Sequence, residues 1–344
     1  MKQKIKIVTF EEEKKQEYLK LVFNSVLIVA CLICVIQAIF KAPMFFLIEP
    51  FAGKPYYFYL KTIFSLLFSG LSVFIPFYLY NKAIGKSIKT LFKAEHAKAP
   101  IAFYIFGAIA VTGIAVFIQK YSVDFTEYLK TLGYVINEVY PILGQNLFEM
   151  LFFIVLSAII PAFLNEIAFR GIIVENLKKD SYTAAIILSS IIFSFNNISL
   201  VLMPYLLITG LILGWLYIKT NSIFVTITAH IAMNTVMSFI LTLKNTMNEI
   251  DFTGFYSIIV PVCGIIGLLS LFILMIIYKI PQKHTEPGLT AVETVKTVLL
   301  SIGLWIFLFI IVFQLFFTYL DKPEAEGNDG TITDESKIVY DYFI

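Results

Sequence analysis

The chain is short of charge. Only 15% of its 344 residues are Asp, Glu, Lys or Arg, while 59% are apolar. A soluble domain sits nearer a quarter charged and half apolar, so a water-soluble core of this length is excluded. Cysteine is scarce as well. Cys31, Cys34 and Cys263 are an odd set inside apolar runs, which excludes a disulfide framework. Cys31-x-x-Cys34 lacks a second ligand pair, so packing explains it better than half a metal site. The alternating ten-residue strands of a membrane barrel are missing, and no solenoid repeat is found. The first apolar run is too long for a cleaved signal and no A-x-A site follows it, so an uncleaved first span is expected.

What the chain has is long apolar runs. Nine candidates lie near 20–41, 60–81, 101–119, 146–176, 183–198, 200–218, 222–244, 254–279 and 296–320, against the roughly 20 apolar residues that cross hydrocarbon. Backbone facing lipid must satisfy its own hydrogen bonds, so these runs are helices. The expected fold class is an all-α polytopic membrane protein of about nine transmembrane helices. Its expected parts are an N-terminal region of three spans (1–145), a core (146–245), two further spans (246–320) and an acidic polar tail (321–344). Within the first part, the lysine-rich loop 82–99 suits either solvent or an anionic leaflet. The aromatic and acidic segment 120–145 suits a helix lying in the outer interface. Basic residues favour the cytoplasmic side. With the N-terminus inside, 18 of the 26 Lys and Arg fall on that side, and acidic segments fall on the other. That arrangement puts the tail outside and suits a cell membrane.

Polar groups inside a span are costly and mark function by default. Here they gather in the middle of the chain: Asn165, Glu166 and Arg170 on the fourth run, Asn196 and Asn197 on the fifth, His230 and Asn234 on the seventh, with Thr226 and Thr228 nearby. Glu166 and Arg170 are four apart on one helical face, acid before base; His230 and Asn234 are also four apart. Counted from the near ends of their helices, Asn165 lies ~15 Å deep, His230 ~12 Å and Asn197 roughly 20 Å. Three helices thus present polar groups at compatible depths to one cavity. Taken singly, Glu166–Arg170 suits a structural ion pair, His230 and Asn234 suit interhelical hydrogen bonding, and Asn196–Asn197 suits a helix cap. Gly210-x-x-x-Gly214 suits close helix packing.

Taken together, these residues resemble the motifs of the CPBP family of intramembrane proteases, which includes CAAX-processing and bacteriocin-immunity (Abi) proteins. Family members show Glu-Glu-x-x-x-Arg, Phe-x-x-x-His and His-x-x-x-Asn on successive helices. This chain has Asn165-Glu166-Ile167-Ala168-Phe169-Arg170, then Phe193-Ser194-Phe195-Asn196-Asn197, then His230-Ile231-Ala232-Met233-Asn234. Between the last two lies a stretch from Gly210 and Gly214 to Thr220-Asn221-Ser222, similar to the family's Gly-rich helix and Thr-Gly-Ser turn, with Asn221 for Gly. The resemblance covers roughly 146–240.

The resemblance implies that the first Glu and the second-motif His activate water; those positions are Asn165 and Asn197. It implies that His230 and Asn234 stabilise an oxyanion, that Glu166 and Arg170 support them, and that Phe193, Gly210 and Gly214 shape the site. An amide side chain has no basic form near neutral pH, and losing such a base typically removes 10²–10⁴-fold in rate. Retained donors still suit a carbonyl oxygen. Zinc is poorly served, because His230 is the one imidazole in the cluster and Asn is a weak ligand; no metal and no cofactor are expected. Glu166 sits about 100° around an α-helix from Asn165 and is the natural partner of Arg170, so it is not the obvious replacement base.

Three functions compete. The first is a catalytically impaired protease-like protein binding a membrane peptide, a prenylated tail or a partner helix, as in immunity or regulation. The second is an active endopeptidase using Glu166. The third is a transporter component, against which stands the lack of a repeated pair of broken helices. Lipid and a membrane peptide or protein are the expected partners, and nucleic acid is not.

Overall fold

The computed structural model describes residues 2–92, 99–132, 146–179, 181–196, 199, 202–277 and 296–319. Nine rods account for most of them: α1 (Lys2–Ile48), α2 (Tyr57–Ala83), α3 (Ile101–Thr131), α4 (Leu147–Leu177), α5 (Tyr182–Phe195), α6 (Leu202–Thr220), α7 (Ile223–Thr246), α8 (Glu249–Ile277) and α9 (Ile302–Tyr319). No strand occurs among the described residues. Seven of the rods are long and apolar enough to cross a membrane. The apolar stretches Tyr182–Phe195 and Ile302–Leu315 are shorter; at 14 residues, α5 rises only ~21 Å. The protein is an all-α multi-pass membrane protein, with a rod at each of the nine expected positions.

The ends differ in detail from the hydropathy pattern. Helix α1 begins at Lys2, because the Glu- and Lys-rich lead-in is itself good helix-forming sequence. Helix α3 runs on to Thr131, through the first half of the segment expected at the outer interface; residues 133–145 of that segment lie outside the described residues, as do 93–98 of the basic loop and the tail from 320.

Helix α4 is the axis of the bundle. Asn146 caps it, its side-chain oxygen accepting from the Glu149 N–H at 3.0 Å. The first part carries Leu147, Leu151, Val155 and Ile159 on an exposed, lipid-suited stripe. From Ile167 to Val174 the helix widens into a π-helical stretch, and all eight of its residues are buried. Helices α5, α6 and α7 and part of α2 enclose it. Such widening is rare and occurs frequently at functional sites.

Proline shapes the same helix. Pro161 has no N–H, so the carbonyl four residues earlier, on Ser157, lacks its helical donor. In a bilayer that carbonyl needs another partner. The Asn234 amide of α7 supplies it at 3.4 Å, and the Ser157 and Ser238 hydroxyls join one turn on, at 2.7 Å. Since Ser157 faces Ser238 and Glu166 faces His230, α4 and α7 run antiparallel.

Helix α3 lies against α8 more extensively than any other pair. A Cβ at Gly113 would collide with the Cys263 carbonyl oxygen, and one at Gly267 would fall 2.8 Å from the Ile114 nitrogen. Only glycines allow the two backbones this close. The outer rod α9 is tied to α1, with Asn24 Oδ1 accepting from the Gly303 N–H at 2.9 Å and the Gln314 amide donating to the Cys34 carbonyl at 3.3 Å.

Replacing Gly113 with Leu is therefore expected to lower stability by about 3 kcal/mol or more. Gly254→Leu, on open surface of α8, should stay within about 0.5 kcal/mol. Unfolding of each variant in mixed micelles checks this; equal stabilities would contradict the tight α3–α8 crossing.

Candidate functional site

Four helices converge on one carboxylate. Glu166 ends the α-helical part of α4, and Arg170 lies within the π-helical stretch that follows; both are fully buried. The four-residue spacing brings them together, and Arg170 Nη1 donates to Glu166 Oε1 at 2.8 Å. The same oxygen meets His230 Nδ1 of α7 at 2.8 Å. A carboxylate only accepts, so Nδ1 carries the proton in this pair. Thr226, one turn before His230, lies beside the same carboxylate and donates its own hydroxyl to the Ile223 carbonyl at 3.0 Å.

Arg170 is held from three sides. Its Nη2 donates to the Gly210 carbonyl of α6 at 3.0 Å. Its guanidinium lies over the Phe193 ring of α5, 4.9 Å from the centroid, a cation–π contact strengthened by desolvation. Phe193 also meets the His230 ring edge-on, at 5.5 Å and 84°, and Phe169 at 5.1 Å. One phenyl ring therefore braces both the guanidinium and the imidazole of the cluster.

Close approach of α5 and α6 makes this possible. A side chain at Gly210 would meet Phe193 at 3.2 Å and Ser190 at 3.1 Å, and one at Gly214 would meet Ile186 at 3.2 Å. The turn into α7 needs a residue in the left-handed region: Asn221 has φ +50°, which Asn tolerates better than most side chains. That is why Asn can stand where the motif has Gly. Lys178 anchors the turn, donating to Asn221 Oδ1 at 2.6 Å and pairing with Glu175 at 2.5 Å, while the Tyr217 hydroxyl donates to Glu175 at 2.7 Å.

The remaining motif positions stand apart from this cluster. Asn165 is half-buried and makes no side-chain hydrogen bond among the described residues. Asn234 reaches the Ser157 carbonyl. Asn196 is buried and occupies the C-cap of α5, where its backbone N–H donates to the Ile192 carbonyl. Asn197 lies outside the described residues. The described residues contain no group of three or more His, Cys, Asp or Glu placed to hold a metal ion.

Residues 147–236 match the family model described as type II CAAX prenyl endopeptidase Rce1-like. The core of this chain is CAAX-protease-like. The match begins with α4 and ends within α7, so it takes in every residue of the Glu166 cluster. No curated protein and no solved structure matches the chain.

Two contacts of this CAAX-protease-like core were not expected from the motifs. One is the His230–Glu166 bond; an α-helical wheel places Glu166 away from Asn165, and nothing in the spacing says that α7 crosses on the Glu166 side. The other is Asn234–Ser157, for which the pairing of Pro161 with a carbonyl four residues earlier was the available signal. Chemically, Glu166 Oε1 already accepts two hydrogen bonds, while Oε2 is enclosed and has no partner among the described residues. His230 has its other ring nitrogen, Nε2, on the side away from Glu166 and without a hydrogen bond among the described residues.

A buried ion pair broken on one side leaves an uncompensated charge, at about 3–5 kcal/mol. Glu166→Leu should cost that much, whereas Glu166→Leu with Arg170→Met should cost less than Glu166→Leu alone. Unfolding free energies in mixed micelles measure both; strictly additive costs would show that the pair is not coupled.

Proposed function

We propose that this CAAX-protease-like membrane protein binds a carbonyl-bearing membrane peptide, either a lipidated tail or a partner helix, and is impaired in cutting it. The observation that carries this reading is the double engagement of Glu166 Oε1 by Arg170 and His230. The one carboxylate left in the first motif is thereby committed to positioning a histidine. The positions implied to activate water are amides, Asn165 and Asn197, and amides take no proton from water near neutral pH.

The binding half has what it needs. Glu166 orients the His230 ring through Nδ1 and leaves Nε2 as the nitrogen that meets a ligand; when Nε2 carries a proton, it donates to a carbonyl oxygen. Asn234, one turn along α7, shares its amide with a single long bond to Ser157, leaving donor capacity for the same carbonyl. Immunity toward a membrane-active peptide, or regulation of a membrane partner, fits this chemistry by analogy with the family alone. A cell membrane with the N-terminus inside is the topology that goes with it.

One observation favours a second reading. Glu166 Oε2 has no hydrogen-bond partner among the described residues, so a rotation that exposed it would supply a base for an active endopeptidase.

The two are separated with the purified full chain in lipid and a prenylated peptide carrying a photoreactive group beside its scissile carbonyl. The expected outcome is crosslinking into Ile223–Thr246 without hydrolysis, with capture falling about tenfold in His230→Phe as one hydrogen bond is lost. Hydrolysis by the wild type that Glu166→Gln abolishes would establish the endopeptidase instead.

A further inference from the structure

The start of the link between α2 and α3, from Ile84 to Phe92, packs against the π-helical stretch that carries Arg170. Helix α2 ends in a Schellman turn: Gly85, at φ +75°, donates to the Lys82 carbonyl and Lys86 N–H to the Asn81 carbonyl, both at 3.0 Å. The chain then folds back as a short 3₁₀ segment, Ile88–Phe92, against the π-helical part of α4.

Contacts fasten this strap at its root and at its tip. At its root, Lys86 Nζ bonds Asn176 Oδ1 of α4, the Asn176 amide donates to Asn81 Oδ1 at 3.3 Å, and the Asn81 amide donates to the Lys86 carbonyl at 3.2 Å. At its tip, the Phe92 ring stacks on Phe163 of α4 at 6.2 Å and 25° and meets Phe224 of α7 edge-on at 6.1 Å.

The tip bridges the α4–α7 seam at the level of the Glu166–His230 pair. Phe163 precedes Glu166 by three residues, ~4.5 Å along α4 and on the same face. Phe224 precedes His230 by six residues, ~9 Å along α7. The helices are antiparallel, so those displacements point in opposite directions, and Phe92 crosses the level of the buried pair diagonally.

The described side chains of the strap bury little surface. Ile84, Lys86, Ser87, Lys89 and Phe92 are all exposed, and Ile88 is only half-buried. Segments with so little buried apolar surface open locally at a small fraction of the global unfolding cost. Phe169 and Phe193, the phenyl rings packed around the pair, by contrast lie in the core.

We propose that the segment from Ile84 to Phe92 is a strap closed over the Glu166–His230 pair, lifting by release of Phe92 from Phe163 and Phe224 while the Gly85 turn acts as its hinge. The inference deepens the peptide-binding reading: the closed strap blocks that site and a lifted strap admits the peptide.

The test uses a reporter that needs no peptide. In the full chain with Cys31, Cys34 and Cys263 replaced by Ala, Thr226→Cys places a thiol beside Glu166, and Ser238→Cys places one deeper on α7. Each is labelled in lipid nanodiscs with a small water-soluble methanethiosulfonate. Phe92→Ala, or independently Asn176→Leu at the root, should speed labelling at 226 about tenfold as the closed population falls, with the rate at 238 unchanged. Equal rates at 226 with and without these substitutions would overturn the strap, as would a parallel rise at 238, which is general loosening. If the reporter at 226 responds as expected but neither the parent nor the strap variants capture the photoreactive peptide, the strap stands and the peptide-binding reading falls.

Discussion

One oxygen atom organises the core of this protein. Glu166 Oε1 accepts from Arg170 within its own helix and from His230 on another, while Arg170 reaches on to α6 and both side chains rest on Phe193 of α5. Four rods are thereby registered to one buried charge. In hydrocarbon such a charge is tolerable only when its partners are held in place. Everything around it serves that end: the π-helical stretch that buries Arg170, the glycines that let α6 approach α5, and the Asn221 turn that starts α7.

The same arrangement decides what the site can do. A general base must have a free lone pair within reach of water. Glu166 has one oxygen doubly engaged and the other walled in. The arrangement instead resembles an orienting carboxylate behind a histidine whose far ring nitrogen meets the ligand. On the proposed reading that nitrogen, when protonated, grips a carbonyl, and the amides at 165 and 197 add no basic group.

Much of the fold is legible in the sequence, because bilayer thickness translates directly into run length: each of the nine apolar runs coincides with a rod. The Glu166–Arg170 pair follows from four-residue spacing alone, and left-handed geometry at Asn221 gives a physical reason for the Gly-to-Asn exchange in the turn. What the sequence hides is rotation and crossing. A regular helical wheel assigns Asn165 and Glu166 to different faces, but which of them α7 meets depends on how two helices cross, and that is a tertiary property. Phe92 is hidden for the same reason: in a basic loop it has no periodicity, and its role is visible only once Phe163 and Phe224 flank it. Asn197, which stands where the resemblance has a histidine, lies outside the described residues.

The Glu166 cluster turns on the protonation and bonding of one imidazole. The chain has three histidines, His96, His230 and His284. Solid-state nitrogen NMR of histidine-labelled protein in lipid reads their tautomers directly. The account predicts one histidine with a protonated Nδ1 in a strong hydrogen bond, its signal lost in His230→Phe and moved in Glu166→Gln. A His230 signal carrying its proton on Nε2 alone, and indifferent to Glu166→Gln, would contradict it.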